Sequence, residues 1–260
     1  MARLKVGVMI ESFRLGVKDG IRKAAEIGAD GFQVYVTGGE MDPDNMTKSA
    51  RHDFLKFVDK LGLTISALCG DLGHGFVDPN KNEQLIAKTK KIIDLAVDLK
   101  TSIITTHIGV IPDDEKSKTW AVLREALTET GGYAARYERC LATETGPEDT
   151  ALMKRFLDQL GCEGVKVNYD PANLVMLGFD YLRGVHDLGD YIVHTHAKDG
   201  VRNKDGSHRE VPLGQGQVDW PKYLAAMDAV GFHGFYAIER EVGADPVKDI
   251  VQAVSFLRQF

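Results

Sequence analysis

A single-domain (β/α)8 barrel over residues 1–260 is the α/β fold this sequence predicts, on three observations. The length of 260 residues matches the roughly 250 that this architecture occupies as one domain. Eight short β-rich runs alternate with longer segments carrying apolar residues at helical spacing. An open doubly wound sheet would show the same alternation, but no GxGxxG or GxxxxGK[ST] follows any run, which removes the usual reason to expect it.

The strand runs, in order, are Lys5–Ile10, Gly31–Val36, Thr64–Cys69, Ser102–Ile108, Arg139–Glu144, Val165–Asp170, Tyr191–Ala197 and Phe235–Glu239. They are short and rich in β-branched and aromatic residues, as buried strands require. Between them, Asn80–Leu99 places Leu85, Ile86, Ile92, Ile93 and Ala96 at helical spacing, and Pro221–Val230 forms a second such segment. After the last strand, Val247, Ile250, Val251 and Val254 make one face of Asp245–Leu257. Pro221 and Pro246 suit a first helical turn, where the missing N–H costs nothing. The longest irregular stretches, Thr37–Lys48 and Asp199–Asp219, both follow strands, the side on which barrels place their active-site loops.

Composition excludes several function classes. The chain is 43% hydrophobic and 27% charged, enough to bury a core, and eight prolines among 27 glycines rule out a collagenous or proline-rich chain. A net charge of −6 provides no global basic field for a phosphate backbone, so no nucleic-acid partner is expected. Cys69, Cys140 and Cys162 are too few and too scattered for a disulfide framework or a CxxC metal knuckle. The first apolar run is interrupted by Glu11 and is too short for a signal sequence, and no stretch reaches the roughly 20 apolar residues of a membrane span. A cytoplasmic protein with no membrane partner is expected; self-association into a homo-oligomer stays open.

The chemistry gathers at strand ends in the last half of the chain. The fifth strand ends in Glu144, the sixth in Asp170, the seventh carries His194 and His196, and the eighth ends in Glu239 with Glu241 beyond it. Any one of these alone is an ordinary strand-end hydrogen-bonding group. Together they are different, because a side-chain period of two puts Glu144, Asp170, His196 and Glu239 each on the face of one strand end. Separations of 26, 26 and 43 residues approximate one βα unit each. In a barrel the four would converge on one point. Three carboxylates held together repel and take up protons, and a cation is the natural remedy. The donor set suits a hard divalent ion, Mn²⁺ or Mg²⁺ first, with Zn²⁺ or Co²⁺ as alternatives.

Other residues stand near this point. His107 ends the fourth strand, and His74 follows the third in GDLGHG. His194 lies deeper than His196 and reads as a hydrogen-bonding group of the barrel interior. Glu241 is expected to bond nearby loops or a partner-facing ion pair. Lys198, Arg202, Lys204 and Arg209 follow the seventh strand, a region where barrels often bind phosphate, although a solvated basic loop explains them as well. Trp220 is expected to pack at a helix start.

Through HIGVIP (107–112), ETG (144–146), DPAN (170–173), HTHAKD (194–199), PLGQGQVDW (212–220) and IERE (238–241), essentially the whole chain resembles the sugar phosphate isomerase/epimerase family. These are xylose isomerase-like TIM barrels, with D-tagatose 3-epimerase, hydroxypyruvate isomerase and endonuclease IV as relatives. The resemblance implies that Glu144, Asp170, His196 and Glu239 bind one divalent metal ion. It also implies that Glu144 and Glu239 form an acid/base pair, with a small sugar-like substrate as partner. His107, His74, Asn173, Lys198, Arg202 and Gln33 are the candidate substrate contacts. Three departures matter: Asn173 stands where ketose 3-epimerases carry a histidine, His208 and Glu210 stand where endonuclease IV supplies an aspartate and a histidine, and Gln33 replaces a common glutamate.

The implied activity is isomerisation or epimerisation of a sugar-like ketose by proton transfer through an enediolate. The alternatives are metal-dependent dehydration or cleavage of an oxidised sugar or keto-inositol, and phosphodiester hydrolysis like that of endonuclease IV. Asn173 and the acidic charge oppose the last.

Overall fold

The structure, a computed structural model, describes residues 3–260; Met1 and Ala2 of the expected domain lie outside the described residues. The strands are β1 (Lys5–Met9), β2 (Gly31–Tyr35), β3 (Thr64–Cys69), β4 (Ile103–Thr106), β5 (Cys140–Glu144), β6 (Val165–Tyr169), β7 (Ile192–Ala197), β8 (Asp199–Arg202), β9 (His208–Val211) and β10 (Phe235–Ile238). Eight of them close into a parallel barrel in the order β1-β10-β7-β6-β5-β4-β3-β2, while β8 and β9 pair with each other. The (β/α)8 expectation is met, with every predicted strand in place.

Two details differ from expectation. Asp199–Asp219 is not irregular throughout: β8 and β9 form an antiparallel hairpin across it. Its sequence, DGVRNKDGSHREV, has no apolar alternation because the hairpin is half exposed, so the pattern that reveals buried strands is missing. The fourth strand stops at Thr106 rather than Ile108, because the chain turns away toward Gly109 in the left-handed region (φ 95°).

Nine helices surround the barrel among the described residues: α1 (Val17–Glu26), α2 (Lys48–Lys60), α3 (Pro79–Asp98), α4 (Lys118–Ala135), α5 (Thr150–Leu160), α6 (Pro171–Leu177), α7 (Tyr181–Leu188), α8 (Trp220–Ala229) and α9 (Pro246–Leu257). Most begin the same way. A Ser, Thr or Asp side chain at the N-cap accepts a hydrogen bond from a first-turn amide, as Asp78, Asp170, Asp219 and Asp245 do for α3, α6, α8 and α9. In those four helices a proline follows within the first two positions. No helix among the described residues is long and apolar enough to cross a membrane.

Alternate strand residues divide the molecule into two environments. Val6, Val8, Phe32, Val34, Leu68, Ile104, Leu141 and Val167 are fully buried in the apolar core, each contributing roughly 1.5–3 kcal/mol by burial. The opposite set includes Gln33, Thr105, Asn168, His194 and His196, which are buried and hydrogen-bonded to one another. A polar layer therefore lies beneath the C-terminal mouth of the barrel, where an all-apolar filling would be the default. Two register shifts help to set it. Ser66 is an extra residue opposite the Phe32/Gln33 step, and Val193 opposite the Val167/Asn168 step. Shifts of this kind re-aim neighbouring side chains, here Gln33 and Asn168.

Candidate functional site

Glu144 is the last residue of β5, Asp170 the N-cap of α6, His196 lies near the end of β7, and Glu239 immediately follows β10. The barrel puts β10, β7, β6 and β5 side by side, so these four residues come from four neighbouring strand ends. One ligand atom from each lies within 4.8 Å of all the others. His196 Nδ1 sits 3.5 Å from Glu144 Oε2, 4.0 Å from Asp170 Oδ2 and 3.4 Å from Glu239 Oε2. All four side chains are buried, with Asp170 wholly inaccessible.

Their supports prepare them for a cation. Gln33 donates from Nε2 to Thr105 Oγ1 at 2.9 Å, which turns its Oε1 toward His196 Nε2 at 3.2 Å. The His196 Nε2–H then donates to Gln33, so Nδ1 faces the carboxylates and is the nitrogen that would take an ion on losing its proton. Asn173 Nδ2 donates to Glu144 Oε1 at 2.9 Å, and Asn168 Nδ2 to Glu144 Oε2 at 3.3 Å. Asp170 divides its two oxygens. Oδ1 accepts from the amides of Ala172 and Asn173, while Oδ2 points into the cluster with no hydrogen-bond partner. A buried, unpartnered carboxylate oxygen is costly unless something positive meets it. The donor set and this orphaned oxygen both fit a divalent ion.

Protein cations do part of that work. Lys198 is buried, 2.9 Å from Glu239 Oε2, 2.9 Å from Glu241 Oε2 and 3.8 Å from Asp170 Oδ2. Burial pushes the Asp170 carboxyl up to about 7, with Lys198 only partly opposing it. Burial also raises Glu144 and Glu239, but His196, joined by Lys198 at Glu239, outweighs it and holds both below the ordinary range. His196 is pulled down by burial and held well above its usual value by Glu239 and Glu144. His194 is different. Burial keeps it neutral, and it bonds Asn168 Oδ1 at 2.9 Å as a member of the interior layer.

A cavity of about 230 Å³ opens over this cluster. Of the sequence-predicted contacts, Gln33, His107, Asn173 and Lys198 line it alongside Glu144, His196 and Glu239. His74 and Arg202 do not. His74 is exposed in the segment before α3, and Arg202 donates from Nη1 to the Met176 carbonyl at 2.8 Å. Glu241 lines the cavity and pairs with Lys198, and Trp220 packs at the start of α8 as expected.

Asp71 is the residue that sequence reading passed over. It lies two residues past Cys69 and bonds His107 Nδ1 at 3.0 Å, directing Nε2 toward Glu144 Oε2 at 3.7 Å. That hydrogen bond lifts the His107 pKa to about 9 against the effect of burial. Within GDLGHG the histidine drew attention, yet the aspartate continues the face of Ala67 and Cys69, a parity signal that would have found it. Tyr35, Cys69, Thr105 and Thr106 complete the far wall.

A parallel eight-stranded barrel whose catalytic-face loops surround a buried three-carboxylate, one-imidazole cluster defines a class of barrel proteins equipped to hold a divalent ion. The chain belongs to the xylose isomerase-like TIM barrel family, whose family model matches residues 21–260. It is similar to L-ribulose-5-phosphate 3-epimerase UlaE of Shigella flexneri, 23% identical over 253 residues that cover 92% of this chain and 87% of the relative. It is also similar to the inosose dehydratase of Geobacillus thermodenitrificans, 26% identical over 162 residues, 54% of each chain. Among solved structures, a xylose isomerase domain protein from Planctomyces limnophilus superposes with a TM-score of 0.85 at 21% identity, covering 99% of this chain and 96% of the other.

Proposed function

We propose that the protein is a divalent-metal-dependent isomerase or epimerase of a sugar or sugar-like ketose. The observation that carries this reading is the convergence of Glu144, Asp170, His196 and Glu239 within 4.8 Å, one carboxylate oxygen among them buried and unpaired. These four residues would hold one Mn²⁺ or Mg²⁺, with Zn²⁺ or Co²⁺ as alternatives. When bound, such an ion supplies positive charge against the negative charge that develops on the substrate oxygens.

The protein's own groups move the proton. One glutamate of the Glu144/Glu239 pair removes it from the carbon beside the carbonyl, giving an enediolate. The other returns a proton to the adjacent carbon (isomerisation) or to the opposite face of the same carbon (epimerisation). Both carboxyls are held in the ionised form that a base needs, so the one that acts as acid first takes a proton from solvent; each is fixed in place, Glu144 by Asn173 and Glu239 by Lys198. His107, oriented by Asp71, offers Nε2 to a substrate oxygen on the Glu144 side.

A second reading, dehydration or cleavage of an oxidised sugar or keto-inositol, draws on the similarity to an inosose dehydratase and on His107, an acid placed to protonate a departing hydroxyl. The two separate by product. Metal-loaded protein is incubated with ketoses and keto-inositols in D₂O, and deuterium uptake and product mass are followed together. Deuterated product of unchanged composition supports isomerase chemistry, and loss of water supports the second reading. Glu144→Gln and Glu239→Gln are each expected to lower turnover by about 10²- to 10⁴-fold, the usual contribution of a general acid or base. Near-normal product from either variant with metal retained would overturn the assignment of the pair.

A further inference from the structure

The cavity has two unlike halves. β10, β7, β6 and β5 are consecutive in the barrel and present Glu239, His196, Asp170 and Glu144; β4, β3, β2 and β1 close the circle opposite, with β4 directly across from β10. Apart from Asp71 and His107, the cavity-lining residues of the facing half are uncharged: Met9, Gln33, Tyr35, Cys69, Thr105 and Thr106. His107 is its one cation among the described residues, and Asp71, 3.0 Å away, offsets that charge.

The remaining positive charge near the mouth is already engaged. Lys198 sits between Glu239 and Glu241, 2.9 Å from each. Arg240 is clamped by Glu210 at 2.5 Å and Asp249 at 2.8 Å. Arg14 donates to the carbonyls of Gly243 and Glu241, and Arg202 to that of Met176. Lys204 and Arg209 are exposed on the hairpin and do not line the cavity. Carboxylates dominate the walls, and each of the two cations among the described lining residues outside the metal cluster is already held between two of them: His107 between Asp71 and Glu144, and Lys198 between Glu239 and Glu241. A phosphate or carboxylate entering here would meet like charge and, among the described residues, no free guanidinium or ammonium group in the lining. Hydroxyl groups meet the reverse: carboxylate and threonine oxygens that accept, and an imidazole N–H that donates.

We infer that the substrate, within the reading proposed above, is an uncharged polyhydroxy ketone, and that phosphorylated and carboxylate-bearing sugars are rejected by charge. The cavity volume agrees, since about 230 Å³ falls below the roughly 300–1,000 Å³ of drug-sized ligand sites. The inference runs against the phosphorylated substrate in the name of the UlaE relative.

Binding is tested apart from turnover, by equilibrium dialysis of metal-loaded protein with open-chain pentitols and hexitols and with the same polyols bearing a terminal phosphate. The free polyol is expected to bind at least about tenfold more tightly, and Glu241→Gln, which removes one wall charge, to narrow that ratio. Phosphates that bind as well as the free polyols, or free polyols that do not bind, overturn the inference. Deuterium exchange from D₂O into the matching ketoses is scored in parallel. Polyol binding without exchange supports the inference and overturns the proton-transfer reading; faster exchange of a ketose phosphate than of its free ketose overturns the inference and keeps that reading.

Discussion

Two buried carboxylates of this protein carry costs that single substitutions can separate, and one of them, Asp170, carries two loads. Asp170 caps α6 with Oδ1 while Oδ2 faces the metal-capable cluster. Asp170→Ala therefore removes a ligand and an N-cap together, the cap alone being worth about 1 kcal/mol. Asp170→Asn separates the two, because its carbonyl oxygen still caps and its amide faces the cluster. The Asn variant is expected to melt at or above the metal-free wild-type temperature and to lose stoichiometric metal, checked by calorimetry and elemental analysis. Full metal content would show that Asp170 is no ligand. Glu148 lies outside the cavity lining, buried in the loop after β5, with Oε2 unpaired. Burial lifts its pKa from 4.5 to about 7, the Ile111 amide opposing only in part. The folded value lies above the unfolded one, so this group's contribution to stability is full below about pH 4.5 and is lost as pH rises through about 7. Glu148→Gln should thus stabilise the protein at pH 8, by about 1–3 kcal/mol, and change little at pH 4. Denaturant curves at the two pH values measure it; equal effects at both would show that Glu148 ionises freely.

At the scale of elements, the hairpin and the loop that follows it are organised by one side chain. Asp199, buried at the start of β8, accepts from the amides of Gly200, Gly214, Gly216 and Val218, and Trp220 Nε1 lies 3.4 Å away. A Cβ on Gly216 would fall 2.0 Å from Asp199 Oδ1, so only glycine fits there. Glu210 then ties β9 back to the barrel through Arg240 and the Glu241 amide. Hydrogen bonds to a buried charge are worth about 1.5–3 kcal/mol each and are costly to leave unmade. Asp199→Ala is expected to lower stability by about 3 kcal/mol and to open residues 212–219 to proteolysis. An unchanged cleavage pattern would assign the loop's order to other contacts. The starts of α8 and α9 were the most legible, because an Asp followed closely by a proline is a local signal with a local cause. The hairpin was the least legible, because its partner strand, not its own pattern, makes it a strand.

Taken as one molecule, the barrel is a device for bringing residues 95 positions apart, Glu144 and Glu239, into one cluster without any long loop. A bound ion would then tie four strands together, and ligand binding stabilises the state that binds it. A divalent ion at about 100 times its Kd is expected to add about 2.7 kcal/mol, raising the melting temperature by roughly 5–10 °C, with a chelator reversing the shift. No rise with any of Mn²⁺, Mg²⁺, Zn²⁺ or Co²⁺ would argue against the site. The sequence by itself determined the eight barrel strands, the helices that follow Asp219 and Asp245, the face each strand residue takes, and the convergence of Glu144, Asp170, His196 and Glu239. All of these follow from periods of two and 3.6, caps, and the single way a parallel eight-stranded barrel closes. Only the tertiary structure decided which second partners meet. Closure placed Asp71 behind His107, register shifts turned Gln33 and Asn168 onto the cluster, and burial drew Lys198 between two glutamates instead of leaving it in a basic loop. Those contacts join side chains on different strands, at distances set by strand stagger and by competition for the few cations within reach. No local pattern along the chain encodes that competition.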